Sequence, residues 1–370
     1  MKKYNWQFAD WPQFHYHHDG IEDVLLTLSA KMGRITGLLD GLPDSSQQEV
    51  IIASVLAEAI KTSEIEGEFP NRKDVLSSIR KNLGLQDSTD RIKDRSADNL
   101  GLLMMDVRNS FQKPLTEKQL FQWHQMLLSE KKGIQIGQYR THTEPMQILS
   151  GALGKEKIHF EAPPSSNVPN EMKKFIRWFN ESGPGGKKEI KKGPVRAAIT
   201  HLYFESIHPF EDGNGRIGRA LAEKALSQSI GRPVILSLSR TIASQKKLYY
   251  QSLEKAQRTL EITPWIEYFV RTILEAQTYA EREIEFTLKT TRFFDRFKDQ
   301  LNQRQVTVIR RMLKEGAKGF KGGMNAQKYI GITKTSKATA TRDLQNLLEI
   351  GAFIRADNAG GRSTRYQVNL

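Results

Sequence analysis

One stretch of the 370-residue chain concentrates groups that could do chemistry: His208-Pro209-Phe210-Glu211-Asp212-Gly213-Asn214-Gly215-Arg216-Ile217-Gly218-Arg219. Histidine is the side chain whose proton affinity lies nearest neutrality, so His208 suits taking a proton from a hydroxyl. Asp212 is a hard oxygen ligand, and one carboxylate together with substrate phosphates is the usual way a protein holds Mg²⁺. Gly213-Asn214-Gly215 can turn tightly and aim successive N–H groups at an anion. A helix starting there would add its positive end to the same place. Arg216 and Arg219 stand three apart on that helix, on one face, where two guanidinium forks could clamp two phosphates. Phe210 reads as an apolar anchor for the loop. A lone His-Pro or Gly-Asn-Gly is only a turn. The base, carboxylate, glycine nest and arginines together read as a nucleotide-phosphate site with His208 as general base.

These groups need elements to hold them. Val195, Ala198, Ile199, Leu202 and Tyr203 predict a buried helix from Pro194, a good first helical residue, to about Ile207. A second helix is expected over about 215–227. Before them, residues 137–164 change pattern. Met146, Ile148, Ile158 and Phe160 alternate in short pieces around Ser150-Gly151 and Gly154, which reads as a β-hairpin ended by Pro163-Pro164. Thr116 with Gln119 reads as a capping box opening the helix that carries Leu120, Trp123 and Leu127. Further helices are expected over about 245–257 and 264–289.

Nearer the N-terminus, the rings of Tyr4, Trp6, Phe8, Trp11, Phe14 and Tyr16 could pack an extended arm onto a larger body. Ile21, Val24, Leu25, Leu28, Met32, Ile35 and Leu38 share a helical face. The next helix runs over about 48–66, stopped by Gly67 and barred from continuing by Pro70. Asn71 can cap another, with Asp74 in its first turn. Thr62 and Glu66 lie one turn apart on one face. On spacing alone, a glutamate before a glycine is a solvated helix end.

The composition, 38% hydrophobic and 26% charged, is that of a globular protein. With no cysteine, disulfides, thiolate metal sites and thiol catalysis are excluded. No run of about 18 apolar residues suggests a membrane span, and the N-terminal residues do not form a secretory signal. A cytoplasmic location is the expectation. The net charge of +14 points to polyanionic partners. Residues 291–370 carry 16 Lys/Arg against 6 Asp/Glu, so +10 of it sits in the last fifth of the chain. There, residues 326–332 and 335–348 read as two short helices, and 351–355 with 364–368 as a two-stranded wing. Thr335, Ser336, Lys337, Thr339 and Arg342 fall on the second helix, and Arg362 and Arg365 on the wing. Those residue types suit major-groove and phosphate contacts with DNA, but such modules also dock proteins.

The twelve-residue segment resembles the Fic family signature His-x-Phe-x-Asp/Glu-Gly-Asn-Gly-Arg-x-x-Arg at every fixed position. Gly137-Gln138-Tyr139-Arg140-Thr141 is similar to the Gly-x-x-Arg segment before that family's flap hairpin, and the likeness covers roughly residues 115–275. The resemblance implies a mainly α fold: a Fic-type helical catalytic core (114–289) with a β-hairpin flap. It would follow a helical N-terminal domain (1–113) and precede a winged helix-turn-helix (290–370). It also implies a protein adenylyltransferase that transfers AMP from ATP to a Ser, Thr or Tyr hydroxyl, self-modification included, with Mg²⁺. By that resemblance Asp212 would carry the metal. Gly213, Asn214, Gly215, Arg216, Ile217, Gly218 and Arg219 would bind the nucleotide, the glycine nest cradling its phosphates and the two arginines holding the outer ones. The flap residues Gln147, Ile148 and Leu149 would align the target by strand addition. Tyr249, Tyr250 and Gln257 would stand near the adenosine; ordinary packing is the other reading of the tyrosines. Thr62-Ser63-Glu64-Ile65-Glu66-Gly67 resembles the inhibitory motif Ser/Thr-x-x-x-Glu-Gly/Asn, so Thr62, Glu66 and Gly67 would form a brake acting on Arg219. Related Doc kinases carry Lys at the position of Gly215, so glycine there favours nucleotidyl transfer. Phosphocholine and UMP transfer occur in a minority of relatives. Two other readings stay open: a DNA-binding regulator whose Fic domain senses nucleotide, and an enzyme run in reverse to remove AMP. The oligomeric state is open, a homodimer among the options.

Overall fold

The computed structural model describes residues 3–85, 92–150, 157–356 and 364–370. In chain order its helices are α1 (Glu22–Asp40), α2 (Asp44–Ile65), α3 (Arg72–Asn82), α4 (Arg95–Asn109), α5 (Glu117–Leu128), α6 (Val168–Glu181) and α7 (Gly193–Ile207). They continue with α8 (Asn214–Ile230), α9 (Leu238–Ser244), α10 (Lys246–Ala256), α11 (Thr263–Phe297), α12 (Gln303–Leu313), α13 (Ala326–Thr333) and α14 (Lys337–Glu349). Four short strands, β1 (Gln147–Ser150), β2 (Lys157–Glu161), β3 (Phe353–Arg355) and β4 (Tyr366–Val368), make two antiparallel pairs. The fold is mainly α. Among the described residues no helix is long and apolar enough to cross a membrane.

Two compact units divide the chain. The first comprises Met1–Met32 and Ile51–Ala280. At its centre lies α7, buried on every side, which is why its sequence shows no polar face. Trp123, Phe175, Phe179, Leu202, Phe204, Leu221 and Trp265 are all fully buried in this unit. Each such side chain contributes about 1.5–3 kcal/mol of transfer free energy. α8 packs closely along α7 because Gly218 has no side chain: a Cβ there would lie 2.5 Å from Glu205 Oε1. The aromatic arm lies on this body. Trp11 packs edge-on against Tyr203 at 5.2 Å, Tyr4 against Phe160 at 5.2 Å, and the Trp6 indole donates to the Glu161 carbonyl at 2.7 Å.

Local signals set most element ends. The Asn71 side chain caps α3, accepting the Lys73 and Asp74 N–H groups at 2.9 and 3.3 Å. Thr116 caps α5 at 3.2 Å, but only half of the expected box forms, because the Gln119 amide donates to Ser110 Oγ at 2.7 Å instead. The hairpin pairs Gln147 with Glu161 and Ile148 with Phe160, with a register shift between Ile148 and Leu149.

The second unit, Gly33–Val50 with Glu281–Leu370, has its own core of Phe293, Phe297, Val308, Ile309, Met312, Tyr329, Leu344, Leu347 and Phe353. α13 and α14 are followed by β3 and β4, which pair Phe353 with Val368. α14 begins at Lys337, later than the spacing suggests. Thr335 therefore precedes the helix, and the Ser336 hydroxyl caps it by accepting the Thr339 N–H at 3.3 Å. A serine that can satisfy a free helix N–H stabilises that boundary. Lys337 and Arg342 are exposed and Thr339 half-buried. Arg365 donates to the Gly322 carbonyl at 2.8 Å, so its guanidinium is tied to its own unit. Arg362 lies outside the described residues.

Candidate functional site

α7 ends because Pro209 cannot continue it. His208 itself takes a left-handed conformation, φ 49°, which costs a non-glycine residue free energy and turns its ring out of the helix path. Arg140 holds that turn. This arginine, 1% exposed, donates Nε to the His208 carbonyl at 2.8 Å and Nη2 to the Pro163 and Ile207 carbonyls at 2.6 and 3.3 Å. Its own N–H bonds the Pro209 carbonyl at 3.0 Å. Burial pulls its guanidinium down to about 10, still far above neutrality.

The loop then closes on Asn214. Its side chain accepts the Phe210 N–H at 3.0 Å and donates to the Phe210 carbonyl at 2.8 Å. The amide is thus committed to the loop, and only backbone N–H groups remain for a ligand. Gly213, at φ 81°, supplies the turn into α8, and a Cβ there would press on Leu127 and Leu128 at 3.1 and 3.2 Å. Phe210 is fully buried and stacks on His124 with centroids 4.1 Å apart. His124 Nδ1 accepts the Gly137 N–H at 2.9 Å, so Nε2 carries the proton it gives to the Asp212 carbonyl at 3.2 Å. Burial keeps this histidine's proton affinity below its ordinary value.

His208, Asp212, Gly213, Asn214 and Gly215 line one cavity of about 670 Å³, with Glu66, Glu205, Ile148, Leu149, Tyr250 and Gln257 among its other walls. That size suits a nucleotide-sized ligand. The N-terminus of α8 opens into it with N–H groups that no intrahelical carbonyl can satisfy. Asp212 accepts the Gly213 N–H at 2.6 Å and pairs with Lys131. Burial alone would raise its carboxyl, but Lys131 and the Gly213 N–H hold it below the usual carboxylate range. Among the described residues no group of three or more His, Asp or Glu side chains could cage a metal. A cation here would rest on Asp212 and the phosphates of a nucleotide, a donor set that fits Mg²⁺.

Both arginines are buried and engaged. Arg219, 1% exposed, gives Nε to Thr62 Oγ1 at 2.8 Å and Nη2 to the Thr62 carbonyl at 2.9 Å and to Glu66 Oε1 at 2.7 Å. Burial opposes its charge, yet the Glu66 carboxylate more than compensates and raises its proton affinity. Its Nη1 has no hydrogen-bond partner among the described residues. Glu66 Oε1 fills the space over Gly215, where a Cβ would lie 2.3 Å away. A carboxylate therefore stands where the helix end would receive an anion. Arg216 is held by a residue the motifs do not mark. Glu68 pairs with Arg216 Nη1 and lies 3.5 Å from Lys131 Nζ, while Arg216 Nη2 is 3.7 Å from Asp212 Oδ1. Lys131, Glu68, Arg216 and Asp212 close a ring of charges.

Several of the expected site positions are engaged in contacts of their own. Ile217 is fully buried and its N–H is spent on the Gly213 carbonyl at 3.1 Å, while Gly218 faces Glu205 and His201; neither lines the cavity. The Gln147 amide donates across the hairpin to Glu161 at 2.8 Å. Tyr249 lines the cavity but is only 1% exposed, its hydroxyl bonded to His201 Nε2 at 2.8 Å. Gln257 donates to the Glu205 carbonyl at 3.2 Å. Gly67, at φ 82°, supplies the turn that ends α2. Conversely, Lys131, Glu68 and His124 carry no sequence spacing that points to the site, and only the fold brings them there. Glu205, three residues before His208 on α7, has such a spacing but no motif marks it.

Residues 114–226 match the Fic/DOC family, and residues 4–85 match a domain of unknown function, DUF4172. A protein adenylyltransferase of Caenorhabditis elegans is 26% identical over 153 residues, 41% of this chain and 26% of that protein. A probable protein adenylyltransferase of Aquifex aeolicus is 38% identical over 70 residues, 19% of this chain and 20% of that one. The matched region thus spans about a quarter of the length of these curated relatives. In fold, the chain resembles a Fic family protein of Desulfovibrio desulfuricans (TM-score 0.57, 19% identity, 97% of this chain and 98% of that one). It also resembles Fic-1 of C. elegans (TM-score 0.50, 18% identity, 73% of each). Residues 114–226 therefore carry the match to the Fic/DOC family, and the fold of the chain is that of solved Fic proteins.

Proposed function

We propose that this chain is an autoinhibited protein adenylyltransferase that moves AMP from ATP to a Ser, Thr or Tyr hydroxyl of a target protein, itself included. The observation that carries the reading is the shared cavity: an imidazole, a carboxylate and a helix N-terminus face one space, with two buried arginines behind them. His208 takes the target's hydroxyl proton. The hydroxyl oxygen then bonds to the α-phosphorus, the bond from that phosphorus to the bridging oxygen breaks, and pyrophosphate leaves with the electron pair. Gly213, Asn214 and Gly215 offer backbone N–H groups to the phosphates, and Arg216 and Arg219 take the outer charge. Mg²⁺ held on Asp212 would neutralise phosphate charge. β1 and β2 form a sheet of two, so the hairpin can take an extended target segment along the β1 edge.

The brake is the segment after α2. Glu66 on Arg219 occupies the guanidinium meant for the terminal phosphate, so ATP binds out of line until it withdraws. Residues 1–113 supply that element, 114–289 the chemistry and 290–370 an accessory module. Exposed Lys337 and Arg342 on α14 support DNA binding by the last of these. The test of the reaction is mass spectrometry of lysate proteins incubated with ATP, Mg²⁺ and Glu66→Gly. An AMP-sized increment on hydroxyl side chains supports it; a phosphate increment, or none, overturns it.

A further inference from the structure

We propose that Glu205 is the positioning residue for His208, fixing which imidazole nitrogen carries the proton and stabilising the imidazolium that forms; this rests on the adenylyl-transfer reading above. Glu205 sits one turn before His208 on α7, and the left-handed turn at His208 swings the ring back so that Nδ1 lies 3.6 Å from Glu205 Oε2. The two side chains are 12% and 6% exposed, so water competes little for either. The separation is longer than an ordinary hydrogen bond. Catalytic contacts commonly stand loose before substrate binds and tighten as charge develops.

A buried carboxylate needs a reason to stay charged. Burial pushes Glu205 toward the neutral form, but His208, His201 and Arg219 together hold it below the usual glutamate range. Its other oxygen, Oε1, has no hydrogen-bond partner among the described residues. That oxygen fits into the gap left by Gly218, with His201 from its own helix alongside. The backbone is pinned independently, because Gln257 donates to the Glu205 carbonyl at 3.2 Å. The side chain is therefore not required to hold the turn, and its placement beside Nδ1 is available for chemistry.

The consequence is a choice of tautomer. An isolated neutral imidazole prefers its proton on Nε2, which would leave the lone pair on Nδ1, against the Glu205 carboxylate. With Glu205 accepting from Nδ1–H, the lone pair is on Nε2, and that atom receives the target's proton. Glu205 remains a carboxylate throughout and faces the positive ring that results, as the aspartate does in a hydrolytic triad.

The test uses the full chain carrying Glu66→Gly as the reference. Adding Glu205→Gln, which keeps the shape and removes the charge, should lower kcat for AMP incorporation by about 10- to 100-fold while the ATP KM stays within about twofold. Nitrogen-detected NMR of the imidazoles should find Nδ1–H at His208 in the reference and a shift toward Nε2–H in Glu205→Leu. Unchanged kcat in the Gln variant, or Nε2–H at His208 in the reference, overturns the proposal. If the Glu66→Gly reference itself transfers no AMP, the functional reading has failed, and the NMR comparison still decides the role of Glu205.

Discussion

At the scale of single residues, the site is a set of charges whose neighbours decide what they can do. Arg140 serves three carbonyls around the turn at His208. Replacing it with alanine leaves those buried acceptors unsatisfied and should cost about 3 kcal/mol of stability in urea unfolding. It should also lower AMP incorporation, because the base loses its seat. Arg140→Lys should recover only part of either, since one ammonium cannot match the planar fork. The twelve-residue segment from His208 was legible because its chemistry is contiguous. Glu68 and Lys131 were not, because a charged residue in isolation looks the same whether it faces water or a buried partner. Ile217 and Gly218 belong to the same run yet face the protein interior. A signature names positions in a row, and a helix turns some of them toward the core.

At the scale of elements, the active-site helix α8 meets the segment that ends α2. One segment delivers two carboxylates: Glu66 to Arg219 and Glu68 to Arg216. Its turn is fixed by the Glu66 and Glu68 N–H groups, both bonded to the Ser63 carbonyl at 3.0 Å. Removing only Glu66 therefore leaves Arg216 occupied. Glu68→Gln should raise AMP incorporation by about 5-fold alone, and the pair Glu66→Gly with Glu68→Gln should exceed either single variant. Initial rates with labelled ATP measure this; a double variant no faster than Glu66→Gly contradicts it. Thr62 and Glu66 were readable as a pair because their spacing is one helical turn, although α2 ends at Ile65 and Glu66 stands just past it. Glu68 lies two residues further on, where periodicity no longer tells which way a side chain points. The spacing of Met172, Phe175 and Phe179 on α6 is equally helical, and all three are buried.

At the scale of the whole molecule, the mainly α class, the hairpin and the two helices with a strand pair near the C-terminus all follow from patterns in the sequence. The division into two compact units does not, because it joins segments distant along the chain. For the C-terminal module the expectation is binding of duplex DNA that weakens steeply with salt and falls when Lys337 and Arg342 are replaced by alanine. A mobility-shift series across ionic strength measures both, and binding indifferent to salt would argue for another partner. Stability should also depend on pH through His201, whose proton affinity is lowered by burial. Glu205, Arg219 and Glu66 are its charged neighbours, and the Tyr249 hydroxyl is its hydrogen-bond partner. The unfolded chain binds a proton near pH 6.5 and the folded one only below that, so stability is full above about pH 6.5 and declines as pH falls beneath it. The urea midpoint should drop over that range, and less steeply in His201→Gln.

If His208 drives AMP transfer and Glu66 restrains it, the two substitutions act in opposite directions. Incorporation of α-labelled ATP into protein by the native chain, Glu66→Gly, and Glu66→Gly with His208→Ala measures this directly. A low signal is expected for the first, an increase of about 10- to 100-fold for the second and none above background for the third. Equal labelling by the native chain and Glu66→Gly, or undiminished labelling without His208, would contradict it.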